Sequence, residues 1–411
     1  MNYKELLKKD LITDNTKELS KNKLFLKTVQ NEKYAGNILK YITPEELLSD
    51  LKLKTKFIGI TGTNGKTTTA FVLGYLLRRM GYGVGIQGTE GFYFNDEKKE
   101  PKTLTTPPIL TTIKRAAKYE PDFYIMEVSS HAIAQQRIEG IEFIAKILTS
   151  FSQDHLDFHK TMQEYKRVKE SFFQDESVKI INGELIDKNE KCKVIIGGFD
   201  FFVNCKNLYV LKEPIVNDIP MVGEFNKMNF SLAFKTASLL TYSMPSQLHN
   251  FTTDFKGVPG RMEIVSKKPF VIIDFAHTPD GMEKVLSAVE GKKIAVFGAG
   301  GDRDKDKRHL MGTVADQYVD YIILTEDNPR CENVNDICKE IAKGIKNTPF
   351  EIILNRKEAL KKALKIAKEK NLTLMVLGKG DESYIEYCGK KIDYSDRETV
   401  KKLLESCYEG Y

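Results

Sequence analysis

Residues 59 to 69, Gly59-Ile60-Thr61-Gly62-Thr63-Asn64-Gly65-Lys66-Thr67-Thr68-Thr69, stand between a short apolar run (Phe57 to Ile60) and an amphipathic stretch. Few segments constrain a fold as strongly. A strand has to end in a turn whose N–H groups are free to meet an anion, and a helix has to begin there. Gly62 and Gly65 allow the turn, Lys66 supplies a point charge, and Thr67 offers a hydroxyl to Mg²⁺ at the positive end of the helix. This pattern predicts a nucleoside triphosphate site. Its spacing is unusual, because Ile60 stands where a general phosphate-binding loop has its first glycine. A plain tight turn would require neither Gly-Lys-Thr nor the flanking strand and helix.

At 411 residues the chain is long enough for two or three domains. With 41% hydrophobic and 29% charged residues it has the composition of a soluble globular protein. The opening Met1 to Asp10 contains no apolar core of a signal peptide, and no stretch reaches the roughly 18 apolar residues of a membrane span. The expectation is a cytoplasmic monomer with no membrane span. Six cysteines (192, 205, 331, 338, 388 and 407) form no Cys-x-x-Cys pair, so they are expected as free or buried thiols without a disulfide framework. The net charge of +6 is small and lysines are scattered, as in Lys361 to Lys370, which argues for solvated helix faces and against nucleic acid.

Three blocks emerge along the chain. Residues 1–55 are a lysine-rich leader with one convincing apolar strand, near Leu24 to Leu26. Residues 56–258 alternate strand and helix signals: strands at Phe57 to Ile60, Phe123 to Val128 and Ala145 to Leu148, and a helix from Thr67 to Met80 that Gly81 ends. Gly257-Val258-Pro259-Gly260 interrupts both periodicities, and residues 259–411 restart the alternation at Val271, Lys293, Tyr321 and Leu374. The fold class is α/β, with a central mainly parallel sheet and a second, Rossmann-like α/β domain.

In such sheets ligands gather beyond the carboxyl ends of strands. Glu127 ends one strand and could face Mg²⁺ opposite Thr67, or could cap a helix or join a salt bridge. His155 follows the next strand but by residue type alone also reads as a surface loop residue. Lys169 is, by the same standard, one of several lysines on a helix face. Three later strand ends carry polar loops: Gly298 to Arg303, Asp327 to Arg330, and Gly378 to Glu382. If their strands are parallel, the loops open on one crevice that offers guanidiniums for carboxylates and acids or amides for an ammonium. Taken singly, each loop also reads as an ordinary strand terminus.

From Lys56 onward the chain resembles the Mur ligases of peptidoglycan synthesis. The resemblance rests on Gly62 to Thr68, Glu127-Val128-Ser129-Ser130-His131, Asp154-His155-Leu156-Asp157, Gly223 to Asn229, and Asp274 to Asp280. It implies that Gly62, Thr63, Asn64, Gly65, Lys66, Thr67 and Thr68 hold ATP, with Asn226 and Asn229 near adenine and Arg261, Asp274 and His277 reaching the nucleotide. It implies two Mg²⁺ ions served by Thr67, Glu127, His155 and a carbamylated Lys169. Thr105, Thr106, Ser129, Gln135 and Arg137 match residues that hold UDP-N-acetylmuramoyl-L-alanyl-D-glutamate. Arg303, Asp327, Asn328, Arg330, Gly378 and Glu382 match amino-acid contacts.

Asp-Asn-Pro-Arg is similar to the motif of members that add meso-diaminopimelate, whose distal carboxylate Arg330 can pair bidentately; lysine-adding members lack the arginine. The implied architecture has three domains, with an amino-terminal domain abbreviated here, and the implied reaction joins diaminopimelate to the D-glutamate γ-carboxylate through an acyl phosphate. Reactants held by three domains imply a closure that excludes water. Two positions depart from the family pattern: Ser150 where Asn is usual, and Asp381 where His is usual. The competing readings are a lysine-adding member, a folylpolyglutamate synthase, or a nucleotide-binding scaffold without ligase activity.

Overall fold

The apolar runs at 57–60, 123–128 and 145–148 become the centre of an eight-stranded sheet. The computed structural model describes residues 2–36, 38–101, 104–188 and 191–406. Its strands are β1 (Ile12–Thr13), β2 (Leu24–Leu26), β3 (Tyr41–Ile42), β4 (Lys56–Thr61), β5 (Val84–Gly88), β6 (Gly91–Phe94), β7 (Glu97–Glu100), β8 (Phe123–Glu127), β9 (Phe143–Leu148), β10 (Val178–Asn182), β11 (Glu184–Lys188), β12 (Cys192–Ile196), β13 (Phe199–Val203) and β14 (Leu208–Leu211). They continue with β15 (Glu263–Lys267), β16 (Phe270–Asp274), β17 (Lys293–Phe297), β18 (Tyr321–Leu324), β19 (Phe350–Ile352), β20 (Thr373–Leu377), β21 (Tyr384–Tyr387) and β22 (Lys390–Asp393). The chain divides into two compact units, Met1–Ile219 with Phe225–Phe255, and Pro220–Glu224 with Lys256–Tyr411.

In the first unit the strand order is β14-β10-β9-β4-β8-β5-β6-β7. The strands from β14 to β5 run parallel, and β6 and β7 extend the sheet antiparallel. Both faces of the central strands are covered, so they read as continuous apolar runs. The helix Lys66–Arg79 buries Ala70, Val72, Leu73, Leu76 and Leu77. Gly74 lets it approach closely, since a Cβ there would lie 2.4 Å from Ile86 Cδ1. Gly59 has a similar packing reason: a Cβ would lie 2.6 Å from the Phe172 ring and 3.0 Å from that of Phe143.

The leader forms a small parallel sheet, β1-β2-β3, of which only β2 is long enough to show in the apolar pattern. Ile12, Leu24, Leu26, Ile42 and Leu47 pack with Ile109, Leu110 and Ile113 of the helix Ile109–Tyr119. A separate antiparallel sheet, β11-β12-β13, had no counterpart in the sequence reading.

The second unit holds a six-stranded sheet ordered β15-β16-β20-β17-β18-β19, parallel except for β15. Val271, Ile273, Ile294, Val296, Ile323, Leu374 and Val376 meet Ala359, Leu360, Ala363, Leu364 and Ala367 of the helix Arg356–Lys370. The parallel order sends the loops after β16, β17, β18 and β20 to one edge.

The expectation of free thiols is overturned at four positions. Cys192 bridges Cys205 and Cys331 bridges Cys388, with Cα atoms 5.2 and 4.6 Å apart; Cys338 is buried and free. Cys407 lies outside the described residues. Linear spacing concealed the first pair, because β12 and β13 align in antiparallel register with Cys192 opposite Val203, which brings Cys205 back beside it.

Candidate active site

The turn 62–65 joins β4 to the helix Lys66–Arg79, and its glycines are dictated by neighbours as well as by conformation. Gly62 has φ +148° and a Cβ there would fall 2.0 Å from Thr149 Oγ1; Gly65 has φ +87° and a Cβ would fall 2.4 Å from Asn229 Oδ1. The side chain of Asn229 therefore lies directly over the turn, beside Asn226 on the helix Glu224–Thr241. Lys66 Nζ donates to Gly62 O at 2.7 Å and Thr63 O at 2.9 Å, so its ammonium sits in the concavity of the loop.

Ser150 braces this turn. Its Oγ accepts from Asn64 N at 2.9 Å and donates to Asn64 O at 3.0 Å, while Ser150 O accepts from Thr63 N at 3.0 Å. Thr149 Oγ1 donates to Asn64 O at 2.5 Å, and Thr63 Oγ1 shares a 3.1 Å hydrogen bond with Tyr165 OH.

At the end of β8, Glu127 is buried. Its Oε1 accepts from Thr67 Oγ1 at 3.0 Å and from Thr89 N at 3.0 Å, and its Oε2 accepts from Thr89 Oγ1 at 3.1 Å. Gly88 makes room for it, since a Cβ there would lie 2.0 Å from Glu127 Oε1. A hydroxyl and a carboxylate side by side at a helix N-terminus fit Mg²⁺, which takes one or two protein oxygens and fills its other positions with water and phosphate. Among the described residues no group of three or more His, Cys, Asp or Glu could hold a metal.

The residues matched to the UDP-dipeptide connect to this acid. Thr105 Oγ1 lies 3.2 Å from Thr89 Oγ1. Thr106 Oγ1 donates to Glu127 O at 2.9 Å and accepts from Ser129 N at 3.0 Å. Arg137 donates to Thr106 O at 3.0 Å and also holds Gln135.

Lys169 is fully buried, with Nζ 3.1 Å from Thr61 Oγ1. Burial first, and then the charge of Lys66, push its pKa well below that of an ordinary lysine. His155 adopts φ 54°, its N–H donates to Asp154 Oδ1 at 2.8 Å, and its ring stands edge-on to His131 with centroids 4.8 Å apart. Burial lowers its pKa against the pull of Asp154, with His131, Lys66 and Lys169 adding to the depression.

In the second unit the three loops do meet. Asn328 Nδ2 donates to Glu382 Oε2 at 2.8 Å, Lys379 Nζ donates to Asn328 Oδ1 at 3.2 Å and Glu382 Oε2 at 3.1 Å, and Gly378 admits Asp327, whose Oδ2 would lie 2.3 Å from a Cβ. Arg330, at φ 49°, donates to Gly301 O at 2.6 Å and pairs with Glu386 at 3.5 Å, and the Cys331–Cys388 bridge ties its loop to the β21–β22 hairpin. Arg303 is exposed, its stem beside Gly300, and joins no such set among the described residues. The buried Arg356 fixes two of the loops from below, donating to Glu326 O at 3.0 Å and Leu377 O at 2.9 Å while paired with Asp396.

Of the residues matched to the nucleotide, Asp274 accepts from Met262 N and Ala276 N, both at 2.7 Å, and burial raises its pKa against the pull of Arg261. The Arg261 guanidinium stacks 4.6 Å from the Phe275 ring centroid. His277 is exposed, its Nδ1 2.9 Å from Phe275 O. Sequence reasoning missed Gly88, Thr89, Thr149, Tyr165 and Glu386. Thr89 follows β5 at the same sheet edge as Glu127, a strand-end signal that the antiparallel continuation into β6 concealed.

The fold and this first-unit site define a class: α/β enzymes that handle ATP at a glycine-rich loop. The Mur ligase middle domain profile matches residues 60–237, and that of the Mur ligase glutamate ligase domain matches residues 260–380. The chain is 40% identical to the UDP-N-acetylmuramoyl-L-alanyl-D-glutamate--2,6-diaminopimelate ligase of Helicobacter pylori, over 97% of this chain and 96% of that protein. A solved structure of a ligase of that description aligns with TM-score 0.60 and 23% identity over 97% of this chain and 95% of its own. A Mycobacterium tuberculosis folylpolyglutamate synthase with ADP aligns with TM-score 0.61 and 14% identity over 90% and 93%, so the backbone alone does not separate the two activities. The chain belongs to the Mur ligase family of ATP-dependent ligases. Among the described residues no helix is long and apolar enough to cross a membrane.

Proposed function

We propose that this ligase joins meso-diaminopimelate to the γ-carboxylate of D-glutamate in UDP-N-acetylmuramoyl-L-alanyl-D-glutamate. A carboxylate is a poor electrophile toward an amine at neutral pH, so it must first be activated. Its oxygen attacks the γ-phosphorus of ATP, ADP leaves, and the resulting acyl phosphate is attacked by the amine through a tetrahedral intermediate that expels phosphate.

Lys66, lodged in the loop, is suited to neutralise phosphate oxygens as charge develops on them. Thr67 and Glu127 would hold a first Mg²⁺, and His155 with Lys169 a second. When bound, Mg²⁺ supplies charge neutralisation on the phosphates. Lys169 suits carbamylation because its depressed pKa leaves more of the neutral amine. That amine would attack CO₂, forming a carbamate and releasing a proton. Thr105, Thr106, Ser129, Gln135 and Arg137 would align the dipeptide carboxylate, through a network that ends on Glu127. Asn226 and Asn229, with Arg261, Asp274 and His277, are assigned to the nucleotide.

The observation that carries the substrate assignment is the convergence of Asn328, Arg330 and Glu382 on one sheet edge. Glu382 suits the ammonium, and Arg330 the distal carboxylate that distinguishes diaminopimelate from lysine. Phosphate release with ATP, Mg²⁺ and the UDP-dipeptide tests it: turnover should require diaminopimelate and be poor with lysine. Equal turnover with lysine would refute the role of Arg330, and failure with every amino acid would refute the ligase reading.

A further inference from the structure

We propose that Arg397 is a positioning residue for this reaction, joining the loop assigned to the amino acid to the segment assigned to the nucleotide. The inference rests on the functional reading above. Arg397 lies on the helix Asp396–Ser406, and its guanidinium pairs with a side-chain carboxylate on each of the two segments. Its Nε and Nη2 donate to the two carboxylate oxygens of Glu263 at 2.7 and 2.6 Å, and the same Nη2 pairs with Asp381 Oδ1 at 2.8 Å. Its side chain is only 23% exposed, and those of Glu263 and Asp381 are 20% and 16% exposed. Such partly shielded, bidentate pairs hold geometry better than exposed ones.

Each carboxylate is attached to a working segment. Glu263 Oε2 also accepts from Gly260 N at 2.8 Å, fixing the turn that carries Arg261. Asp381 precedes Glu382, which points the other way to Lys379 and Asn328. The two backbones touch, since a Cβ on Gly260 would lie 2.1 Å from Asp381 N and 2.4 Å from Gly380 C. Without Arg397, two carboxylates within reach of one nitrogen would repel each other where these backbones meet. A neutral side chain at position 381 would leave Arg397 paired with Glu263 alone and so untie the 378–382 loop from it.

Steady-state kinetics and hydrogen exchange on Arg397→Met, Arg397→Lys and Asp381→His in the full chain test this. Arg397→Met should raise KM for both diaminopimelate and ATP about tenfold, a change of about 1.4 kcal/mol each. KM for the UDP-dipeptide, whose assigned residues lie in the other unit, should stay within twofold. Arg397→Lys should recover only part of the loss, because an ammonium keeps the charge but not the two-nitrogen grip, and Asp381→His should raise the diaminopimelate KM more than that for ATP. Amides of 260–263 and 379–382 should exchange at least tenfold faster in Arg397→Met, with the sheet unchanged. Unaltered KM values with unaltered exchange would overturn the proposal, as would equal increases for all three substrates with exchange accelerated throughout. If the wild type turned over no amino acid, the functional reading would fail, and the exchange measurement would still decide whether Arg397 holds the two segments.

Discussion

Thr67 Oγ1 donates to Glu127 Oε1 at 3.0 Å, joining the first turn of the phosphate-loop helix to the end of the neighbouring strand. The bond spans 60 positions in sequence, and β4 pairing with β8, Ile60 opposite Glu127, makes it possible. Glu127→Gln keeps the size of the side chain and removes the charge that would face Mg²⁺. Phosphate release should fall about a hundredfold, equivalent to about 2.7 kcal/mol of transition-state stabilisation, and the Mg²⁺ concentration for half-maximal rate should rise. An unchanged Mg²⁺ dependence would remove Glu127 from the metal site.

Gly88→Ala offers a geometric version of the same test. The added methyl would fall 2.0 Å from Glu127 Oε1, so the carboxylate must turn away from Thr67 and Thr89. Activity should drop about as far as in Glu127→Gln, while the melting temperature moves less than activity does. A fully active Gly88→Ala enzyme would show that the Thr67–Glu127 contact is dispensable.

These two residues also show what the sequence could convey. Glu127 was legible because it terminates an apolar run, and strand ends are where parallel sheets keep their chemistry. Gly88 and Thr89 were not, because their importance depends on which strand lies beside β8. Gly59 belongs to the glycine-rich segment in sequence, yet it makes room for Phe143 and Phe172. The turn assigned to phosphate is Gly62 to Gly65. The cysteine pairs and the Arg397 contacts were hidden for the same reason as Gly88, since each depends on register between elements far apart in the chain. The Asp-Asn-Pro-Arg loop was readable as a motif, whereas its tie to the β21–β22 hairpin was not.

Arg330→Ala should raise the diaminopimelate KM at least tenfold, or about 1.4 kcal/mol or more, because it deletes the one guanidinium assigned to the distal carboxylate. KM for ATP should be nearly unchanged. Lysine, which lacks that carboxylate, should become a relatively better substrate, so the ratio of kcat/KM values for the two amino acids is the decisive quantity. A ratio equal to that of the wild type would exclude Arg330 from discrimination.

Arg356 and Asp396 are both fully buried and bonded to each other through two nitrogens at 2.8 Å. Removing one partner strands the other's charge in the interior, so Arg356→Met should cost about 3–5 kcal/mol in denaturant unfolding. Arg356→Met combined with Asp396→Asn should recover part of that loss, because no unpaired charge then remains. Equal losses in the single and double variants would mean that the backbone bonds to Glu326 and Leu377 matter more than the ion pair.

Lys169 couples stability to the same chemistry that is proposed to modify it. Burial and the charge of Lys66 depress its pKa in the folded protein, whereas the unfolded chain keeps a lysine value near about 10.4. Between those two values the unfolded state binds more protons, so the lysine's contribution to stability rises with pH across that window. Below the folded value the full cost of holding a buried ammonium is present. In bicarbonate-free buffer, Lys169→Met should therefore be more stable than the wild type at low pH, with the advantage shrinking as pH rises toward about 10. The same variant should lose most activity and gain nothing from added bicarbonate, while CO₂-depleted wild type should recover activity when bicarbonate returns. A stability difference that stays constant with pH would contradict the depressed pKa; wild-type activity indifferent to bicarbonate would contradict the carbamate.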